Sequence, residues 1–164
     1  MSEYIIDANS FITPSKQYYQ FDFAPSFWKQ FETVIVKPEI KILSVVYDEL
    51  MATKDELANW IKKVVNLKKI SVEYGEIVQN YGMVLNYIRE SEYYSDKALR
   101  NWSDKKIADA WIIAAAMKYK AVIITFEKSV GGFSTKNKIN NAKIPDIAQN
   151  FGVKCQVCLI LSER

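Results

Sequence analysis

The stretch from Ser103 to Thr125, SDKKIADAWIIAAAMKYKAVIIT, constrains the fold more than any other part of the chain. Its pattern predicts a helix capped at Ser103, and from Ile107 to Met117 the apolar positions cover that helix on every side. A helix that is apolar all round is buried. AVIIT, which follows, is a continuous apolar run of the kind found in strands covered on both faces. A buried helix leading into a doubly covered strand implies a sheet with layers packed against both of its faces.

The rest of the chain alternates in the same way. Tyr4, Ile5 and Ile6 read as a short strand. In APSFWKQFETV, Pro25 suits a first helical turn, and Phe27, Trp28 and Phe31 recur at helical spacing. IKILS is a second strand, and SVVYDELM a helix starting near Ser44. Thr53-Lys54-Asp55-Glu56 has the capping-box pattern and opens a helix with Leu57, Trp60, Ile61 and Val64 on one face. A longer helix is expected around EIVQNYGMVLNYIRE, and short helical turns with loop in SEYYSDKALRNWSD. After AVIIT come a basic loop, a short helix in KIPDIAQNFGV and a last strand in KCQVCLIL. Strands alternating with helices predict an α/β domain, a three-layer α/β/α sandwich on a mainly parallel central sheet, with residues 1–164 as one domain.

No apolar run reaches membrane-spanning length, and the N-terminus lacks the basic-then-apolar layout of a signal peptide. A cytoplasmic protein with no membrane partner is expected. The chain has no histidine, which removes Ser-His-Asp and Cys-His chemistry and His-ligated zinc together. Any catalysis then falls to carboxylates, lysines, hydroxyls or a metal held by oxygen. Cys155 and Cys158 form a lone CQVC inside strand-like sequence, and the favoured reading is two small strand residues rather than a redox pair or half a zinc site.

Carboxylates are where the sequence departs from the ordinary. In a parallel α/β fold, ligands collect at the C-terminal edge of the strands. Asp7 ends the first strand, Glu49 lies on the helix after IKILS, and Glu127 comes two residues after AVIIT. Asp109 is the only charged residue between Ile107 and Met117. An unpaired carboxylate inside an apolar helix costs several kcal/mol or takes up a proton, roughly as for any buried charge. Each acid has an ordinary alternative: Asp7 as a cap, Glu49 as a solvated charge beside Asp48, Asp109 paired with Lys105 or Lys106, and Glu127 as a loop acid. Their convergence on one sheet edge favours a hard cation such as Mg²⁺ or Mn²⁺, which relieves the repulsion and can activate water for attack on a phosphodiester.

The order of these motifs resembles the PIN domain, a family of small metal-dependent ribonucleases. YIIDANSFI is similar to the family's opening strand, with an aspartate followed two residues later by Asn, Ser or Thr. SVVYDEL resembles the second motif, which selects Glu49 over Asp48. IADAWIIAAAMKYKAVIITFE resembles the third and fourth motifs together. FDFAPSFWKQFE, VYDEL, DELANW and KIPDIA look more narrowly like a branch of PIN-like proteins in bacteria and archaea, slightly longer than the usual PIN toxin. The resemblance implies a metal site of Asp7, Glu49, Asp109 and Glu127 holding Mg²⁺ or Mn²⁺, with Asn9 and Thr125 as polar neighbours. Glu127 departs from the aspartate common at that position. Asp104, five positions before Asp109, falls about 140° away on a regular helix and is expected to face elsewhere. Asp146 and the CQVC pair have no assigned role.

The activity that the resemblance implies is metal-dependent hydrolysis of RNA, as in the toxin of a toxin–antitoxin pair. The partners it implies are RNA, a cognate antitoxin and a second copy in a homodimer. Between Glu127 and Asp146 there is no acid, and the lysines of this basic loop, Lys128, Lys136, Lys138 and Lys143, are candidates for holding the RNA backbone, as against a merely solvated loop. Tyr18, Tyr19, Phe21, Phe23, Phe27 and Trp28 are expected to pack mainly onto the core or a partner rather than stack on bases. Val84, Leu85 and Ile88, beside Tyr81 and Tyr87, are a candidate interface. A catalytically silent PIN-like scaffold that binds RNA or protein is the alternative function.

Overall fold

The computed structural model describes residues 1–65 and 68–157. Among them the strands are β1 (Tyr4–Ile6), β2 (Ile40–Leu43), β3 (Lys69–Ile70), β4 (Val122–Ile124) and β5 (Cys155–Gln156). They form one sheet in the order β3-β2-β1-β4-β5, with every pairing parallel. Tyr4 stands opposite both Ile40 and Val122, so β1 is the central strand. Ile5, Ile6, Ile42, Leu43 and Ile123 have no exposed surface, because helices cover both faces. Each such side chain contributes about 1.5–3 kcal/mol by leaving water.

The helices are α1 (Asn9–Thr13), α2 (Pro25–Ile35), α3 (Ser44–Met51), α4 (Glu56–Val65), α5 (Gly75–Glu90), α6 (Asp96–Ser103), α7 (Asp109–Tyr119) and α8 (Ile144–Ala148). The chain steps from β1 to β2 to β3 in one direction, then returns past β1 to β4 and β5. Right-handed crossovers therefore put α1–α4 on one face and α5–α8 on the other. The packing agrees: α4 meets α2 and α3, whereas α7 meets α5, α6 and α8. The result is the expected three-layer α/β/α sandwich. No helix among the described residues is long and apolar enough to cross a membrane.

Helix α7 is the centre of its layer, with every residue from Ala110 to Ala116 buried, as its sequence requires. It begins five residues later than the sequence suggests, with Ala108 rather than Ser103 at the cap position. Ser103 ends α6, and residues 104–108 form a turn before Asp109. That turn is held from α5 and α7: Tyr81 stacks on Trp111 with ring centroids 3.8 Å apart. The Tyr81 hydroxyl donates to the Ser103 carbonyl (3.3 Å), and the Trp111 indole N–H donates to the Lys105 carbonyl (3.2 Å). Ser95 supplies the α6 cap instead, its Oγ accepting from the Ala98 N–H.

Other expectations shift by a few residues. The α4 cap is Asp55, whose Oδ1 accepts from both the Thr53 hydroxyl (2.7 Å) and the Ala58 N–H (3.1 Å). Tyr81, Val84 and Ile88 are buried in the core, so that face of α5 packs inside the molecule rather than forming an outer interface. The N-terminal aromatics divide: Trp28 is buried and Phe21 and Phe27 pack partly onto the core, with Phe21 stacked on Trp28 and Tyr19 on Phe27 at 4.1 Å each, whereas Tyr18, Tyr19 and Phe23 stay exposed. The expected last strand is present as β5, and Cys158 with the residues after it lies outside the described residues. Burial pushes the Cys155 thiol up to about 11, so it stays protonated at neutral pH, as a packed strand residue would.

Candidate functional site

From the central strand β1 the sheet extends to β2 on one side and to β4 on the other. Such a switch point opens a crevice at the C-terminal strand ends. Asp7 lies there immediately after β1, and its N–H donates to the Ile124 carbonyl at the end of β4 (2.9 Å). The Ser10 hydroxyl donates to the same carbonyl (3.1 Å), tying the start of α1 to β4. Thr125, buried after β4, donates its hydroxyl to Asp7 Oδ2 (2.8 Å) and accepts from the Glu127 N–H (3.0 Å). Asn9 Oδ1 accepts from the Phe126 N–H (2.9 Å), which turns its amide nitrogen toward Thr125 Oγ (3.3 Å). Asn9 and Thr125 thus weld the two strand ends that carry Asp7 and Glu127.

The four acids feel one another's charge. Asp7 is 5% exposed, and burial pushes its carboxyl up to about 7, with the charges of Glu127 and Glu49 adding to the effect and the Thr125 hydrogen bond opposing it. Asp109 is pushed up to about 8, chiefly by burial and then by Glu127, Asp7 and Glu49. Its carboxyl lies at the first residue of α7, partly exposed at the helix end, rather than sealed within the helix. Glu49 is an exposed residue of α3, yet partial burial of its carboxyl and the charge of Glu127 hold it above the ordinary range. A carboxylate raised by like charges is a group lacking positive charge.

Glu127 is the best tethered of the four. Its Oε2 accepts from the Ile144 N–H at the start of α8 (2.8 Å), and its Oε1 lies 3.7 Å from the Lys143 ammonium. Asp146, buried in the first turn of α8, accepts from the Ser129 hydroxyl and from the Val130 N–H (3.0 Å). These bonds pin both ends of the basic loop together, which gives Asp146 a structural role that its sequence position did not disclose.

Asp109 and Glu127 open onto a cleft of about 350 Å³ that also borders Arg100, Asp104, Asn140 and Lys143. Asp104 was expected to face elsewhere, but it lines this cleft with Asp109. The 100° rule fails because residues 104–108 are not helical, and the Asp104 carboxylate instead accepts from the Lys106 N–H (3.0 Å). Lys128, Lys136 and Lys138 are exposed on the loop and do not border the cleft. The cations that do are Arg100, from α6, and Lys143.

A family model described as a domain of unknown function, DUF4411, matches residues 4–161. The chain belongs to the DUF4411 family. No curated protein and no solved structure matches it. The matched span of this DUF4411 chain takes in β1 to β5, all four acids and both cleft cations.

Whether a divalent ion suits this DUF4411 site turns on its donors. Carboxylate oxygens are hard ligands of the type Mg²⁺ and Mn²⁺ prefer. Burial first, and then the charges of neighbouring acids, raise the carboxyls of Asp7 and Asp109, and a bound cation would oppose the second effect, as Lys143 does in part for Asp109. Among the described residues, however, no three acids stand close enough to form a ready cage. The two observations measure different things: charge coupling reaches further than ligand contact. Glu127, turned toward Ile144 and Lys143, is the member visibly committed elsewhere. The donor set therefore fits the ion in chemistry, with Asp7 and Asp109 the stronger pair.

Proposed function

We propose that this DUF4411 chain is a metal-dependent endoribonuclease of the PIN type, with Asp7, Glu49, Asp109 and Glu127 as the groups that would hold Mg²⁺ or Mn²⁺. The observation that carries the reading is the pair of raised aspartates, Asp7 and Asp109, coupled to two glutamates at the switch point of a parallel sheet. Carboxylates packed for structure alone would carry a standing cost. When bound, a divalent ion supplies Lewis-acid stabilisation of a phosphate and a lowered pKa for water.

The chain's own groups have distinct tasks in this reading. Thr125 orients Asp7 and favours its charged form. Asp109, at the start of α7, presents its carboxyl to the cleft where a phosphodiester would enter. Glu127, fixed by the Ile144 N–H, keeps a negative charge beside Lys143 and acts on the centre through its field or through water.

The test is cleavage of a mixed RNA pool with Mg²⁺ or Mn²⁺ by the wild type, Asp7→Asn and Asp109→Asn. Loss of at least 100-fold in both variants, roughly the scale of losing a catalytic group, supports the reading. Equal activity in all three overturns it. A second reading, a silent RNA-binding scaffold, draws on the engagement of both Glu127 oxygens and on the lack of a ready three-acid cage among the described residues. Tight RNA binding by wild type with no cleavage under either ion would decide for the scaffold.

A further inference from the structure

We propose that the cleft beside Asp109 is the seat of a single RNA strand, with Arg100 and Lys143 holding its phosphates and Asn140 and Asn141 facing a base. The inference rests on the ribonuclease reading for its substrate class, but its residues are separate from the four acids. Of the basic-loop lysines it keeps Lys143, sets aside Lys128, Lys136 and Lys138, and adds Arg100, which the sequence alone did not bring to the site.

The lining is built for a nucleotide's mixed chemistry. Its volume, about 350 Å³, lies at the lower end of small-molecule sites. Arg100 projects from α6, and among the described residues no carboxylate pairs with its guanidinium. Lys143 stands across the cleft beside Glu127, and its charge also lowers Asp109. Two cations flanking a carboxylate centre suit a strand whose phosphates must approach acids that would otherwise repel them. Ile107 lies on the same lining with 39% of its surface exposed, offering an apolar face to a base beside the amides.

The Asn140 amide is held in advance. Asn140 Oδ1 accepts from the Ser95 hydroxyl (2.7 Å), which leaves its NH₂ as a donor. The neighbouring Ile139 is locked by two backbone bonds, its N–H to the Tyr93 carbonyl (2.8 Å) and its carbonyl from the Ser95 N–H (3.0 Å). Ser95 is also the cap of α6, so one residue fixes both the helix that bears Arg100 and the strap that bears Asn140. Pre-ordering of this kind lowers the entropic cost of binding.

The experiment is fluorescence anisotropy with a fluorescein-labelled ten-nucleotide RNA of mixed sequence, in metal-free buffer across a range of salt concentrations. Arg100→Ala and Lys143→Met should each weaken binding about five- to tenfold and reduce the salt slope by about one. Lys143→Arg should restore the slope, and Lys62→Ala, on α4, should leave it unchanged. Asn140→Ala should weaken binding with the slope intact. The proposal is overturned if Arg100→Ala and Lys143→Met bind as wild type does, if Lys128, Lys136 and Lys138 carry the salt slope instead, or if wild type shows no binding at low salt. Binding through Arg100 without Mg²⁺- or Mn²⁺-dependent cleavage would overturn the nuclease reading and keep the cleft. Cleavage that is indifferent to Arg100 and Lys143 would do the reverse.

Discussion

The hydroxyl of Thr125 donates to Asp7 Oδ2 at 2.8 Å, joining residues 118 positions apart in the chain. It is the side-chain hydrogen bond that favours the charged form of Asp7 against burial. Thr125→Val keeps the shape and removes the bond. Loss of such a supporting contact costs about 10–100-fold in metal affinity or activity. RNA cleavage should fall by that factor, and the acidic limb of its pH profile should move to higher pH, because Asp7 then ionises later. Thr125→Ser should keep both near wild type. An unmoved pH limb in Thr125→Val would refute the role.

Stability of the metal-free protein should fall as pH rises. Folded Asp7 and Asp109 hold their protons to about 7 and about 8, whereas unfolded aspartate releases its proton near 4. Between those limits the folded state binds more protons than the unfolded state, so unfolding becomes easier with increasing pH and the loss levels off above about 8. Thermal denaturation from pH 5 to pH 9 should show this decline. Asp109→Asn should flatten it and stabilise the metal-free protein at pH 8 by about 1–2 kcal/mol. Mn²⁺ should raise Tm most at the alkaline end, where both carboxylates are charged.

Much of this was legible in the sequence, for identifiable reasons. The apolar run of α7 and AVIIT expose the layered fold because burial on all sides leaves no polar face to misread. Asp7 and Asp109 stand out because one ends a strand and the other interrupts an apolar helix, whereas Glu49 and Glu127 were picked out by their place in the order of motifs. The start of α7 did not show, since a break at residues 104–108 depends on Tyr81 and Trp111 bonding to that turn from elsewhere. Thr53 resembled a cap because its spacing to Glu56 is right, but Asp55 has the better acceptor for two donors. Arg100 and Lys143 meet only through tertiary structure. Nothing local to DKALR marks Arg100 as different from the other exposed cations.

Glu127 can be divided into its two tasks. Glu127→Gln keeps an oxygen for the Ile144 N–H and removes the charge beside Lys143 and Asp109. Urea denaturation should find it within about 0.5 kcal/mol of wild type, while cleavage falls at least tenfold, roughly the effect of losing a charge near the reaction. Glu127→Ala should also lose about 1–2 kcal/mol, because the Ile144 N–H is left without its partner. Full activity in Glu127→Gln would show a structural task only.

Asp146→Ala should loosen the basic loop from its base. The Ser129 hydroxyl and the Val130 N–H lose a buried charged acceptor, which costs about 2–3 kcal/mol. Hydrogen exchange should quicken at Val130 and its neighbours while β1 and β4 keep their protection. Unchanged exchange at Val130 would mean that the clamp does not hold the loop.

The central position of β1 also bears on how the protein is made. Asp7 leaves the ribosome more than a hundred residues before its partners, Ile124 at the end of β4 and Thr125 just after it. Contacts so distant in sequence form late, after the intervening helices have been synthesised. A nascent chain carries Asp7 in isolation until Thr125 and Glu127 have followed it. A chain truncated between β3 and α7 would hold two of the four acids, Asp7 and Glu49, and lack the strand that joins the first to the rest. Any chemistry that depended on all four acids would thereby be withheld from partial products of translation.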